Sequence, residues 1–386
     1  MGINNFANRK AIMENAGKTC TRCVMDTTDP DIHFDSSGEC NHCRTYDEAA
    51  RQRILTGEQG QQMLSDLVGK IKEESKGKDY DCIIGVSGGV DSSYVAYLTK
   101  KLGLRPLAVH VDNGWDSELA VSNIKETLTR LGIDLHTEVL DWEEFKDLQL
   151  AFLKASVPDV EVPTDHTISA VLYEVASREG VKYIISGGNV STEGVLPARW
   201  AYGLRDWKYI KGLHRQFGNN ELKSYKHYSL LKLFDYVFIK RIRVICLLNF
   251  YDYKKKETME ILEKELNWRP YTGKHHESII TRFLQSYILP RKFNVDKRKA
   301  HLSTLICSGQ LTREEAMEDL QGDPYLSEDK LREEKIYVAE KFSLTEDEFD
   351  GIMALPIKSF LDYPSNYWIY KLVYRRIGFV RKLKFP

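Results

Sequence analysis

The sequence predicts a doubly wound α/β fold, a parallel sheet with helices on both faces, joined to an N-terminal metal-held module and a mainly helical C-terminal region. Three observations carry that prediction. Strand-like and helix-like patterns alternate between residues 81 and 186. A glycine-rich turn, Ser87-Gly88-Gly89-Val90-Asp91-Ser92-Ser93, follows the first apolar run and opens the first helical pattern. Two Cys-x-x-Cys pairs stand close together before residue 44.

Residues 1–17 are polar and unpatterned and are expected to be a flexible N-terminus. Residues 18–46 read as a zinc ribbon. Cys20 and Cys23 form one pair and Cys40 and Cys43 the other, with sixteen residues between them. Each pair sets two thiolates on one turn, and two such turns close a tetrahedral shell that leaves no open position, so a structural Zn²⁺ is expected. His33 and His42 are spare ligands. Disulfides and an iron–sulfur cluster are the competing readings, the first weakened because no secretory signal pattern is evident.

Residues 47–207 read as the catalytic sheet domain. A linker helix near 47–76 leads into a strand over 81–86 and a helix over 92–102. A second strand, 107–111, ends at Asp112-Asn113-Gly114 and is followed by a helix to Leu131. A strand over 135–140, a helix over 168–178 and a strand over 183–186 complete the alternation. Ligands of such sheets gather at the carboxyl ends of the strands. Three loops are therefore expected to converge on one site: the Ser87–Ser93 turn, Asp112-Asn113, and Gly187-Gly188-Asn189.

The first of these is built for phosphate. Gly88 and Gly89 let backbone N–H groups approach an anion, the following helix presents its positive end, and Ser87, Ser92 and Ser93 add hydroxyls. The run lacks the ending of a Walker A loop and the spacing of a dinucleotide fingerprint. Asp91 is the expected Mg²⁺ or water ligand. Asp112 could instead cap a helix, and Asn189 could be a left-handed turn residue.

Residues 208–256 form a basic, aromatic-rich stretch, read as an extension of the catalytic domain, with twelve Lys or Arg against three acids. One or two strands are expected within 237–250, and an amphipathic helix ending near Leu266. Residues 257–386 read as mainly helical, with helices over 279–289, 296–307, 312–320, 327–342 and 345–354. The net charge of −1 argues against a protein that coats nucleic acid. No run is long and apolar enough to span a bilayer. A cytoplasmic enzyme is the simplest expectation.

The Ser-Gly-Gly-x-Asp-Ser run at 87–92 resembles the loop of the PP-loop ATP pyrophosphatases, whose fold is adenine nucleotide alpha hydrolase-like. That likeness implies a loop gripping the pyrophosphate released when ATP adenylates an oxygen. Three further stretches narrow the resemblance: Cys20 to Pro30, Leu196 to Gly203, and Trp268 to Ser278 with the run from Arg282 to Arg298. Together they resemble the N-acetyl sugar amidotransferases of surface-polysaccharide (lipopolysaccharide O-antigen) and nonulosonate biosynthesis, over about Cys20 to Leu320.

Members of that family convert an acetamido group of a nucleotide-activated N-acetylated sugar into an acetamidino group, cleaving ATP to AMP and pyrophosphate. The resemblance implies ATP and Mg²⁺, and ammonia from a separate glutaminase subunit working with a cyclase-like subunit. With no spanning run in the sequence, no membrane partner is expected. Lys274 would stabilise the α-phosphate or departing AMP, and His275, His276 or Glu277 would take a proton from the nitrogen nucleophile. The competing reading is a tRNA-modifying thiolation enzyme. Such enzymes need a reactive cysteine, whereas Cys82, Cys246 and Cys307 all read as core-like. A third reading is a non-catalytic subunit that holds a glutaminase pair.

Overall fold

The computed structural model describes residues 17–271, 277–322, 325 and 327–372. Five strands, β1 (Cys82–Gly85), β2 (Pro106–Asp112), β3 (Asp134–Val139), β4 (Tyr183–Ser186) and β5 (Arg243–Cys246), form one sheet in the order β3-β2-β1-β4-β5. All pairs are parallel. The central strands are apolar on both faces because both are covered. Ile84, Ala108 and Ile185 point to one layer, whereas Ile83, Val109 and Ile184 point to the other.

Six helices precede or cross over between the strands: α1 (Asn41–Arg53), α2 (Gly57–Glu74), α3 (Val90–Lys101), α4 (Glu118–Leu131), α5 (Trp142–Lys154) and α6 (Val162–Arg178). The expected single linker helix is two. The break lies at Ile54–Thr56, where the Leu55 N–H leaves the helical ladder to donate to the Asn249 carbonyl at 2.7 Å.

Beyond β4 the expectation of one or two strands within 237–250 is half met. Only β5 is extended; a helical turn with widened hydrogen bonding (Asp235–Ile239) precedes it and a tight turn (Leu247–Phe250) follows it. Helix α7 (Trp207–Phe217) and the short helix Leu230–Phe234 were not anticipated. The later helices fall where the periodicity puts them: α8 (Lys255–Leu266), α9 (Lys297–Cys307), α10 (Arg313–Asp319), α11 (Glu328–Lys341) and α12 (Glu346–Ala354). The helical run from Ile279 continues past Leu289 to Phe293, with a widened turn over Leu284–Ile288 beside Pro290, whose nitrogen has no hydrogen to donate.

Helix α9 ties the cysteine module to the sheet. Ser303 Oγ accepts from the Val24 N–H at 3.2 Å, and at the next residue Thr304 Oγ1 accepts from Val195 N–H at 3.1 Å. Arg313 of α10 donates to the carbonyls of Cys20 and Cys23, each at 3.2 Å. The ribbon and the C-terminal helices thus share one buried core.

Candidate active site and metal centre

The strand order reverses between β1 and β4, and the loops leaving those two strands face each other there. Gly88 takes φ +78°, and a Cβ at that position would lie 2.6 Å from the Ala120 carbonyl oxygen, so conformation and packing both require glycine. Helix α3 starts at Val90 without a side-chain cap, leaving its N-terminal amides for an anion. Ser87 Oγ and Ser92 Oγ stand 3.3 Å apart, and Ser92 Oγ donates to the Gly89 carbonyl at 3.1 Å. Gly187, after β4, comes so close that a Cβ would sit 3.2 Å from the Asp91 backbone.

The back of the phosphate loop is held by residues far along the chain. The Gly88 carbonyl accepts from Trp268 Nε1 at 2.8 Å, Tyr271 Oη at 3.1 Å and Asn123 Nδ2 at 3.5 Å. With its oxygen fixed on that side, the Gly88–Gly89 peptide turns its N–H the other way, where it donates to Ser87 Oγ at 3.4 Å. Asn123 also exchanges two hydrogen bonds with the Arg269 backbone, both at 2.9 Å. The segment that follows Trp268 is pinned again at its far end. Ser117 N–H donates to the Glu277 carbonyl and Ile279 N–H to the Trp115 carbonyl, both at 2.9 Å.

The resulting cavity of about 370 Å³ is lined by Ser87, Gly89, Asp91, Ser92, Gly187 and Glu277 among the expected residues. Lys255, Met259, Trp268, Tyr271 and Glu193 also line its walls and were not among the residues expected from sequence. Asp91 accepts from Tyr253 Oη; burial first, then the Asp91 charge, raises the Tyr253 pKa and keeps it a donor. The Glu277 carboxylate lies over Gly89, 3.0 Å from where a Cβ would be. Asp91, Glu193 and Glu277 line one cavity with Ser87 and Ser92, but among the described residues their carboxylates do not gather into a preformed cation site. A larger hollow, about 520 Å³, opens beyond β3 between Glu138 and His227. Of its two lysines, Lys226 is paired with Glu138 and Glu174 and Lys223 with Glu221, and the hollow does not meet the phosphate loop.

Other expected residues do different work. Ser93 is buried and Gly188 stands beside Ser186 Oγ and Glu193. Asp112 accepts from Gly114 N–H at 2.9 Å and Asn113 from Trp115 N–H at 3.1 Å, so both shape their own loop; Ser117, not Asp112, caps α4. Asn189 has φ −150°, not the left-handed turn considered, and caps the short helix Val190–Glu193 through Thr192. Lys274, His275 and His276 lie outside the described residues.

Next to Glu193 a second group of charges gathers: Asp159, Glu161 and Asp165, with Lys297 opposing them. Asp165 reaches solvent yet is packed round by protein. That desolvation, then the charges of Glu161 and Asp159, raises its pKa to about 8. Its neighbour His166 is structural: Nδ1 meets the Leu204 carbonyl at 2.8 Å, Nε2 accepts from Tyr228 N–H at 3.3 Å, and burial lowers its pKa to about 4.

In the ribbon, Cys20, Cys23, Cys40 and Cys43 are fully buried with their sulfurs within 4.8 Å of one another. Sulfur separations of 3.9, 3.7 and 3.8 Å match the edge of a tetrahedron. Zn–S bonds of about 2.3 Å require an edge of about 3.8 Å. Backbone N–H groups of Arg22, Cys23, Met25 and Cys40 point at these sulfurs, the support a thiolate site needs. His42 is engaged with Asp29 at 2.6 Å and His33 with the Asp31 carbonyl, so neither joins the set. The core-like reading of the remaining cysteines is corrected at two positions. Cys246 is exposed on β5, an edge strand, and Cys307 Sγ stands 3.8 Å from Cys43 Sγ.

Residues 277–376 match the model of the C-terminal domain of LPS biosynthesis protein WbpG-like proteins. The tRNA-specific 2-thiouridylase MnmA of Pseudoalteromonas translucida is 31% identical over 163 residues, 38% of this chain and 41% of the relative. The glutamine-hydrolyzing GMP synthase of Thermus thermophilus is 30% identical over 192 residues, 48% of this chain and 35% of the relative. The chain thus spans about two fifths of the length of these curated relatives. Among solved structures, NMN synthetase from Francisella tularensis aligns over 78% of this chain and 99% of its own, at 14% identity and a TM-score of 0.29. The NH3-dependent NAD synthetase from Campylobacter jejuni aligns over 54% and 85%, at 17% identity and a TM-score of 0.28.

Proposed function

We propose that this chain, a PP-loop ATP pyrophosphatase carrying a WbpG-like LPS-biosynthesis domain, is an ATP-dependent amidotransferase acting on the acetamido group of a nucleotide-activated N-acetylated sugar. The observation that carries the reading is the meeting of two segments over Gly89. The phosphate loop supplies one wall of the cavity, and Glu277, where the WbpG-like domain begins, supplies another. Nucleotide chemistry and the part of the chain that points to LPS sugars are thereby in contact.

An amide oxygen is a poor leaving group, and adenylation cures that. In the proposed reaction the acetamido oxygen attacks the α-phosphorus and pyrophosphate departs into the Ser87–Ser92 loop amides, with Lys255 balancing charge. Ammonia then adds to the imidate carbon, and AMP leaves with the original amide oxygen. Glu277, on the cavity wall, would take the proton from the nitrogen nucleophile. Tyr253 holds Asp91 in place, and Asp91 would hold Mg²⁺, which would supply charge neutralisation at the phosphates. Trp268 and Tyr271 fix the loop and wall off water.

The thiolation alternative is not favoured. Similarity to a tRNA thiouridylase and to GMP synthase is of equal depth, so it does not separate sulfur from nitrogen transfer. Among the described residues no cysteine lines the cavity. The test is to supply ATP, ammonium and a panel of nucleotide-activated N-acetylated sugars, or tRNA, and measure AMP. Sugar-dependent AMP with an amidine product supports the proposal; AMP that depends on tRNA alone overturns it.

A further inference from the structure

The basic stretch 208–256 contains a helix with two apolar faces, only one of which the fold uses. Over Leu230–Phe234 and the widened turn Asp235–Ile239, the inward side places Leu233, Tyr236 and Val237 on the sheet-covering cluster that includes Tyr173 and Ile242. The Tyr236 ring stacks on Tyr173 at 5.3 Å. The outward side carries Leu231, Phe234, Phe238 and Ile239, exposed at 83, 54, 64 and 67%. The Phe234 and Phe238 rings stack on each other at 4.8 Å in solvent. Val244 of the edge strand β5 is exposed as well. A contiguous apolar face of this kind marks a contact surface.

The stretch is also cationic. Lys232, Lys240, Arg241 and Arg243 belong to the same stretch, Lys232 and Lys240 lying over the Tyr236 ring and Lys240 also donating to Ser177 Oγ, and Asp235 is the one carboxylate in residues 230–243. Asp235 is engaged by Lys232 at 3.3 Å and lies 3.9 Å from Lys240. Arg241 and Arg243 are exposed, with no ion pair among the described residues. A second copy of the chain would bring the same cations against each other in a two-fold contact. A short helix lying flat, with projecting Leu, Phe and Ile and neighbouring Lys and Arg, is instead suited to an anionic bilayer surface. Phenylalanine and leucine enter the headgroup boundary while the cations meet lipid phosphates, each adding roughly fivefold to affinity.

We infer that the Leu230–Arg243 patch docks this protein peripherally on anionic lipid. Ten helical residues are far too few to span a bilayer, and no helix among the described residues is long and apolar enough to do so. The mode is surface contact.

The test is co-sedimentation of the full chain with vesicles of phosphatidylcholine alone or mixed with about one third phosphatidylglycerol. The expected result is binding to the mixed vesicles only, weakened at least tenfold by Leu231→Asp with Phe238→Asp. Val121→Asp, at an exposed apolar position on α4, should leave binding unchanged. The basic run 371–384 can also attract anionic lipid, so the apolar variants rather than salt decide the matter. Unchanged melting temperatures show that the variants fold. No vesicle binding, equal binding by the double variant, or a self-association that Phe238→Asp abolishes without any vesicle binding would each overturn the inference.

Discussion

The three donors on the Gly88 carbonyl make a quantitative prediction. Tyr271→Phe deletes one hydroxyl and leaves the ring, while Trp268 Nε1 at 2.8 Å still satisfies the carbonyl. A single neutral hydrogen bond of this kind is worth about 1 kcal/mol, so ATP should bind about fivefold more weakly. Trp268→Phe alone should cost a similar amount through the bond, plus lost packing in the α3–α8 layer. The double variant is different in kind. It leaves Gly88 only the long 3.5 Å contact from Asn123, so the penalty of an under-satisfied carbonyl, about 1–3 kcal/mol, is added to the two bonds. The combined loss in ATP affinity should therefore exceed the product of the two single losses. Titration calorimetry with ATP and Mg²⁺ measures this directly, alongside melting temperatures that report packing separately. If the variants melt lower but bind ATP as the parent does, or if their losses simply multiply, the clamp does not set the loop's geometry.

Lys255→Ala should weaken ATP binding by about tenfold or more, because Lys255 is a cation on the cavity wall where phosphate charge collects; Arg should rescue most of the loss. Cys20→Ser should lose bound zinc and fold poorly, whereas Cys307→Ser should keep about one zinc per chain by elemental analysis, since four thiolates close the tetrahedron. Asp165 carries a raised folded-state pKa, so its contribution to stability is present below its unfolded value and is lost as pH rises toward about 8. Asp165→Asn should therefore melt higher than the parent at pH 8.5, with the gap closing toward pH 5. An equal gap at both pH values would contradict the assignment.

The sheet was readable because its central strands are short, continuously apolar and separated by helices with a clear period; Ile83 and Ile84 face opposite layers and both are buried. The Ser87–Ser93 loop was readable because its positive φ and close packing at Gly88 demand a local glycine. The clamp was not, since Trp268 and Tyr271 reach Gly88 from 180 and 183 positions along the chain, and their aromatic character alone suggests core. Lys255 was lost in a Lys-Lys-Lys run that reads as a solvated helix start. Cys307 looked inert because nothing in sequence brings it to Cys43, 264 positions away; α9 does so by bracing the ribbon against the β4 loop. Asp112 and Asn113 were read as ligand contacts, yet hydrogen-bonding their own loop is what short polar side chains do at a strand's end.

The most direct test of the proposed reaction follows the oxygen. A nucleotide-activated sugar whose acetamido oxygen is a heavy isotope is incubated with the protein, ATP, Mg²⁺ and ammonium, and the AMP is weighed by mass spectrometry. Adenylation of the amide oxygen predicts that the label moves into AMP, one atom for each acetamidino group formed. Unlabelled AMP beside a labelled, unchanged sugar would contradict the account.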